Sequence, residues 1–221
     1  MKVAKGSVII GYVHPNIVTE GFTRSLANLC LWTDNGIAGI IAASNPRQHV
    51  ARNAVITQFL EGPGEWLMWI DTDMTFYHDS VQRLVATAKK HKADMVAGLA
   101  FIFKRHQSVI QPNCFLWDAE INEFLDVTDY EPGAVLDIKG TGSAFVLIHR
   151  NVLSTTGPNW HQNWMNHPAN DGPMGHDLAF FQEACVEQGY KLVYDTNVKT
   201  GHIKHFELDE EAFRNYQEIN G

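Results

Sequence analysis

The sequence predicts an α/β fold, a single domain with a mostly parallel central sheet flanked by helices. Short apolar runs rich in Val and Ile alternate with longer stretches of helical periodicity, the pattern of strands joined by crossover helices. The chain has 221 residues, 45% hydrophobic and 19% charged, enough for one core, since domains commonly run to ~100–200 residues. No internal repeat or low-complexity segment interrupts the alternation.

The first strand is read over Ser7 to Val13. A helix follows with Phe22, Leu26 and Leu29 on one face, then a strand from Gly36 to Ala42. Val50, Ala54, Val55 and Phe59 line a second helix, and Trp66 to Ile70 make a fully apolar strand. Val81, Leu84, Val85 and Ala88 recur at helical spacing before a strand from Asp94 to Phe101. From Phe103 to Asp137 the alternation gives way to polar and aromatic residues with Pro112, Pro132 and Gly133, which read as inserted hairpins or loops. Ser143 to His149 returns to strand character. Thr155 to Gly175 carries three prolines and three glycines, too long for an ordinary connection and typical of functional loops. Gly175-His176-Asp177 opens a helix running to Gln188 and closed by Gly189, followed by a strand from Lys191 to Tyr194 and a final helix over Asp209 to Ile219.

A formal net charge of −8 disfavours general nucleic-acid binding, which needs a basic face to release counterions. Lys104, Arg105 and His106 read as a solvated strand end. Cys30, Cys114 and Cys185 are far apart and not in CxxC spacing, so neither a disulfide framework nor a thiolate zinc site is indicated, and a reducing compartment fits. The N-terminal apolar run is too short for a signal-peptide core, and no segment approaches the ~20 apolar residues of a membrane span. The expected location is cytoplasmic.

The chemistry concentrates where the strand Trp66-Leu67-Met68-Trp69-Ile70 ends in Asp71-Thr72-Asp73. In open α/β sheets ligands bind at the carboxyl ends of strands. Side chains at i and i+2 of an extended segment share a side, so Asp71 and Asp73 can face one ligand. One or two carboxylates plus substrate phosphate is the usual setting for Mg²⁺ or Mn²⁺. Aspartates in such a place also cap helices and make turns. Asp177 is likewise either a first-turn acid favoured by the helix dipole or a general base. In Gly201-His202-Ile203-Lys204-His205 an imidazole can complete a metal shell or sit at the surface. GxGxxG and GxxxxGK[ST] are both absent, so neither a dinucleotide site nor a P-loop competes.

The order Arg52-Asn53, WLMWIDTDM, Gly140-Thr141-Gly142-Ser143-Ala144-Phe145-Val146-Leu147-Ile148, GHDLAFFQEACVEQGYKLVYD and GHIKH resembles a glycosyltransferase of the Rossmann-like GT-A fold, similar to family 2. It spans the chain from the first strand to about His205. The resemblance implies a single domain over 1–221, with a nucleotide-binding half over 1–102 and an acceptor and catalytic half over 103–221. Asp73 matches the DxD aspartate that holds the metal on the donor diphosphate. Asp71 matches the one that contacts the ribose, or the metal through water. His202 matches a C-terminal histidine that reaches the same metal, Mn²⁺ or Mg²⁺. Arg52, Asn53, Tyr12 and Pro15 fall where such enzymes contact the nucleotide. Asp177 matches the last acid of the ED motif, the base of inverting members, although His176 stands where that motif prefers glutamate. Candidate acceptor contacts are Gly142, His176, Trp160 and Trp164. The two tryptophans either stack on a sugar or pack the long loop onto the sheet.

The expected function is metal-dependent sugar transfer from a nucleotide diphosphate sugar, a UDP-sugar foremost, to an acceptor hydroxyl with inversion. The acceptor is left open among glycan, protein, lipid headgroup and modified base. Two rivals stand beside it: a metal-dependent hydrolase or nucleotidyltransferase using the same cluster, and a non-catalytic glycan- or nucleotide-binding module.

Overall fold

The computed structural model describes residues 8–15, 17–32, 36–104, 109–158, 160–167 and 172–205. In chain order these form β1 (Val8–Val13), α1 (Glu20–Leu31), β2 (Ile37–Ala43), α2 (Gln48–Glu61), β3 (Trp66–Ile70), β4 (Met74–Thr75), α3 (Ser80–His91) and β5 (Met95–Leu99). β6 (Phe101–Lys104), β7 (Val109–Pro112), β8 (Cys114–Asp118), β9 (Glu123–Asp126), β10 (Val135–Ile138), β11 (Gly140–Thr141), β12 (Phe145–His149) and α4 (Arg150–Thr156) follow. β13 (Trp164–His167), β14 (Gly172–Met174), α5 (His176–Phe181), β15 (Leu192–Lys199) and β16 (Gly201–His202) complete the order. A π-helical turn over Gln182–Glu187 extends α5.

The main sheet has seven strands in the order β10-β15-β5-β12-β3-β1-β2. β2, β1, β3, β5 and β15 run one way, while β12 and β10 run against them. Alternation along β3 explains the layering, since successive side chains of a strand face opposite sides. Met68 and Ile70 join Phe22 and Leu29 of α1 and Leu84 and Val85 of α3 in one buried cluster. Leu67 and Trp69 join Val55, Ile56 and Phe59 of α2, Leu153 of α4 and Phe180 of α5 in the other. At Gly11 of β1 a Cβ would lie 2.8 Å from Leu67 and 2.9 Å from Val55, so the absence of a side chain there lets α2 close onto the sheet.

Sequence patterns place the main elements, with differences at three places. On α2 the buried residues are Ala51, Arg52, Val55, Ile56 and Phe59, whereas Ala54 faces outward. The face is rotated because it accommodates the Arg52 side chain. The strand expected from Asp94 to Phe101 breaks at Ala100, whose backbone N–H and carbonyl both bond the Tyr194 hydroxyl, at 2.8 and 2.7 Å. The Thr155–Gly175 stretch contains the β13–β14 hairpin, which the sequence pattern did not reveal. The helix expected over Asp209 to Ile219 lies outside the described residues. Among the described residues, no helix is long and apolar enough to cross a membrane.

Candidate active site

A cleft of ≈ 1330 Å³ opens where β1, β2 and β3 end and β12 begins. Its walls include Val13, His14 and Pro15 after β1, Ser44 to Pro46 after β2, Asp71 to Asp73 after β3, Gly142 to Ala144 before β12, Asp177, and His202 to His205. Because β12 is reversed, its first residues meet the last of β3, with Phe145 opposite Ile70. The Asp71 amide then donates to the Ala144 carbonyl at 2.8 Å, fixing the turn that bears both aspartates.

Arg52 is the hub of the floor. Its side chain is 1% exposed, with Nη2 3.0 Å from Asp71 Oδ1 and Nη1 3.7 Å from Asp177 Oδ1. Nη1 also donates to the Ser143 carbonyl at 3.4 Å, and the guanidinium lies 5.0 Å from the Trp69 ring centroid. A guanidinium serves such a place because it is weakly hydrated, always charged and able to stack on an aromatic face. Asp177 is further held by Ser143, which donates from its amide to Oδ2 (3.2 Å) and from its hydroxyl to Oδ1 (2.9 Å). Burial works against the charged form of Asp177, but Arg52 and the neighbouring imidazoles of His161 and His176 hold its carboxyl well below the ordinary value. Asp71 goes the other way: burial raises it, and the Arg52 charge only partly opposes that.

The DxD turn is tied to the C-terminal segment by the β4–β16 pair, in which His202 faces Met74. The Ile203 amide donates to the Asp73 carbonyl at 2.8 Å. Asp73 Oδ2 consequently sits 3.1 Å from His202 Nε2 and 2.7 Å from Lys204 Nζ. Burial opposes its ionisation, but these two partners bring the carboxyl down to about 2. Burial also disfavours His202 as a cation, and the Asp73 carboxylate and Phe101 carbonyl outweigh it and raise the imidazole. His202 Nδ1 lies 2.7 Å from the Phe101 carbonyl. With Nδ1–H given to that carbonyl, Nε2 is aimed at Asp73, the orientation shared by metal-ligating histidines. One carboxylate and one imidazole facing an open cleft suit Mn²⁺ or Mg²⁺ once phosphate oxygens are added.

The other expected contacts divide between the cleft and its supports. Pro15 and Gly142 line the cleft. Tyr12 instead packs edge-on against Phe22, centroids 5.3 Å apart. Asn53 does not line the cleft either: its amide exchanges two hydrogen bonds with the backbone of His161, at 3.0 and 2.9 Å, and so pins the long loop to α2. Trp160 is buried in the core with its indole N–H on the Leu153 carbonyl at 2.6 Å, so it packs the loop down and offers no face to a sugar. For Trp164 the backbone places the residue in β13. His176 borders a smaller pocket of ≈ 210 Å³ shared with Asn113, Gly142 and Asp177. Ser143, Asn113 and Lys204 were not assigned from sequence. Only Ser143 carried a signal, a hydroxyl where an apolar strand begins.

The sheet order, with an acidic turn after β3 on the floor of an open cleft, defines a GT-A domain. Residues 22–140, more than half of the chain, match the model of glycosyl transferase family 2, and the chain belongs to that family. It is therefore a glycosyltransferase that uses a nucleotide-sugar donor. Its fold is similar to that of A197 from STIV, at TM-score 0.59 and 16% identity over 90% of this chain and 86% of that one. It is also similar to GalNAc-T7, solved with UDP, GalNAc and Mn²⁺, at TM-score 0.63 and 14% identity. That match covers 91% of this chain but only 44% of GalNAc-T7, so this chain spans less than half of it. At these identities the likeness is one of fold. No curated protein matches in sequence.

Proposed function

We propose that this glycosyltransferase moves a sugar from a UDP-sugar to an acceptor hydroxyl with inversion, using Asp177 as base and a divalent cation held by Asp73 and His202. The observation that carries this reading is the placing of Asp177 and the Asp73–His202 pair on one cleft, each fixed by backbone from a different part of the chain. UDP and Mn²⁺ are the nucleotide and metal found with GalNAc-T7, which supports the same pair here. The donor is assigned to the half over 1–102 and the acceptor to the half over 103–221. The three free cysteines accord with a reducing, cytoplasmic setting.

When bound, Mn²⁺ or Mg²⁺ supplies Lewis-acid stabilisation of the departing diphosphate. Lys204, 2.7 Å from Asp73, adds positive charge beside the same group. Arg52 keeps Asp71 and Asp177 apart in role, one toward the nucleotide and one toward the acceptor. Ser143 holds the Asp177 carboxylate in a fixed direction, so that it takes the proton of an attacking hydroxyl without first reorienting. Asp177 enters the reaction already ionised, so the acid limb of the pH–rate profile belongs to other groups.

Calorimetric titration of UDP- and GDP-sugars with Mn²⁺ and then with EDTA tests the donor site. Asp73→Ala is expected to abolish metal-dependent donor binding. Asp177→Asn is expected to keep binding and lose ~10²–10⁴-fold in transfer. Equal loss of donor affinity in both variants would defeat this division of labour, and release of free sugar phosphate would favour a hydrolase.

A further inference from the structure

Two imidazoles beside Asp177 help to keep it ionised but are given no bond to donor or acceptor in the transfer just described. His161 is 2% exposed and His176 16%, and their Nδ1 atoms lie 3.4 and 2.9 Å from the same Asp177 Oδ1. All three atoms fall within 4.8 Å of one another. Although close, neither Nδ1 makes a hydrogen bond of acceptable direction, and both are buried. A buried polar atom left without a partner costs ~1–3 kcal/mol, so two converging on one oxygen require a reason.

We propose that His161 Nδ1, His176 Nδ1 and Asp177 Oδ1 form a second cation site, separate from Asp73 and His202, for a transition ion of borderline softness such as Zn²⁺ or Co²⁺. Bonds of ~2.0–2.1 Å around a tetrahedral ion separate its ligand atoms by roughly 3.3 Å, close to the two nitrogen-to-oxygen spacings seen. Two imidazoles and one carboxylate with an open fourth position are an established zinc donor set. The Arg52 guanidinium, 3.7 Å from the same Oδ1, opposes a cation here, and Asp71 on its other arm offsets that charge. Ser143 Oγ, 2.9 Å from Oδ1, steadies the carboxylate as a supporting contact. The small pocket at His176 gives the ion an approach. Nitrogen-rich sites favour Zn²⁺ over Mn²⁺, whereas Asp73 and a diphosphate favour the harder ions, so the two sites sort metals by chemistry. An ion on Asp177 occupies the oxygen needed as base. Zn²⁺ therefore inhibits transfer, a consequence that rests on the base role proposed above.

The test uses Co²⁺ alone, without nucleotide, on the Asp73→Asn/His202→Gln chain, read by equilibrium dialysis and visible absorption. About one Co²⁺ per chain is expected, displaced by Zn²⁺. Adding His176→Asn is expected to weaken binding by more than ~100-fold, beyond the ~10–100-fold that follows loss of a supporting contact. No Co²⁺ bound by the first chain, or binding unchanged by His176→Asn, overturns the site. Circular dichroism of each variant separates loss of the site from loss of the fold, and the partly exposed setting of His176 makes it the safer probe than the buried His161. Metal stoichiometry is measured without sugar or acceptor, so failure of the transfer reading and failure of this site give different results.

Discussion

At the scale of single residues, Arg52 carries the largest consequence, because one buried guanidinium compensates two carboxylates of the cleft. Replacing it with a neutral side chain of similar length leaves both without their cation, and breaking such pairs costs ~3–5 kcal/mol. Arg52→Met is expected to lower the unfolding free energy measured in urea by about that much, whereas Arg24→Met, which loses only an exposed pair with Glu20 at 3.6 Å, is expected to change it little. His161 makes a second, pH-dependent contribution. Its folded value of about 4 lies below the ordinary 6.5, so as pH falls the unfolded chain takes up the proton first. The stability it provides is therefore intact above pH 6.5 and is lost between 6.5 and about 4, by up to ~3 kcal/mol. Urea unfolding at pH 7.5 and 5 measures this, and His161→Gln is expected to flatten the dependence; an unchanged slope would assign the loss to other groups. Asp71, Asp73 and Asp177 were legible in sequence because each sits at an abrupt boundary, a strand end or a helix start. Ser143 and Arg52 were harder to read, since their roles depend on partners 34 and 125 positions away in the case of Asp177, separations that local pattern does not encode.

At the scale of elements, the cleft is held by short connections between long-range parts. Thr19 caps α1 by accepting from the Phe22 amide at 3.2 Å, and its hydroxyl donates to the Thr72 carbonyl at 2.9 Å, so the start of a helix is tied to the DxD turn. Asn53 does the same for α2 and the long loop. Asn53→Ala removes both bonds to His161 and is expected to cost ~1–3 kcal/mol. It is also expected to lower transfer more than donor affinity, measured as a fall in kcat with near-constant metal-dependent donor binding. An equal loss in both would place Asn53 on the nucleotide after all. Regular elements were legible because apolar periodicity reports burial. The β13–β14 hairpin was not, since Pro and Gly in that stretch signal turns without specifying which backbone groups pair. The inward face of α2 was misread at Ala54 for a related reason: a charged residue, Arg52, takes a core position that hydrophobic patterning assigns to something apolar.

At the scale of the whole molecule, donor and metal bind only the folded chain and so stabilise it in proportion to occupancy. At a donor concentration 100 times its dissociation constant the gain is ~2.7 kcal/mol. For a chain of this length that raises Tm by roughly 5–10 °C. Thermal unfolding with UDP-sugar and Mn²⁺ is expected to show the rise, and EDTA to remove it; a rise that survives EDTA would argue for donor binding without metal. The reversed strand β12 has a further consequence. It begins at the cleft and ends at the opposite end of the strands, with His149 beside Trp66, so the chain that follows must travel back through α4, Trp160 and the β13–β14 hairpin before Asp177 reaches the cleft. The walls contributed by β1, β2 and β3 arrive directly from strand ends. The returning segment is an excursion anchored by α4 and Trp160 in the core and by the Asn53 clasp, so under the acceptor assignment proposed above, changes of length between those anchors would refit the enzyme to a new acceptor while its grip on the nucleotide stays inherited.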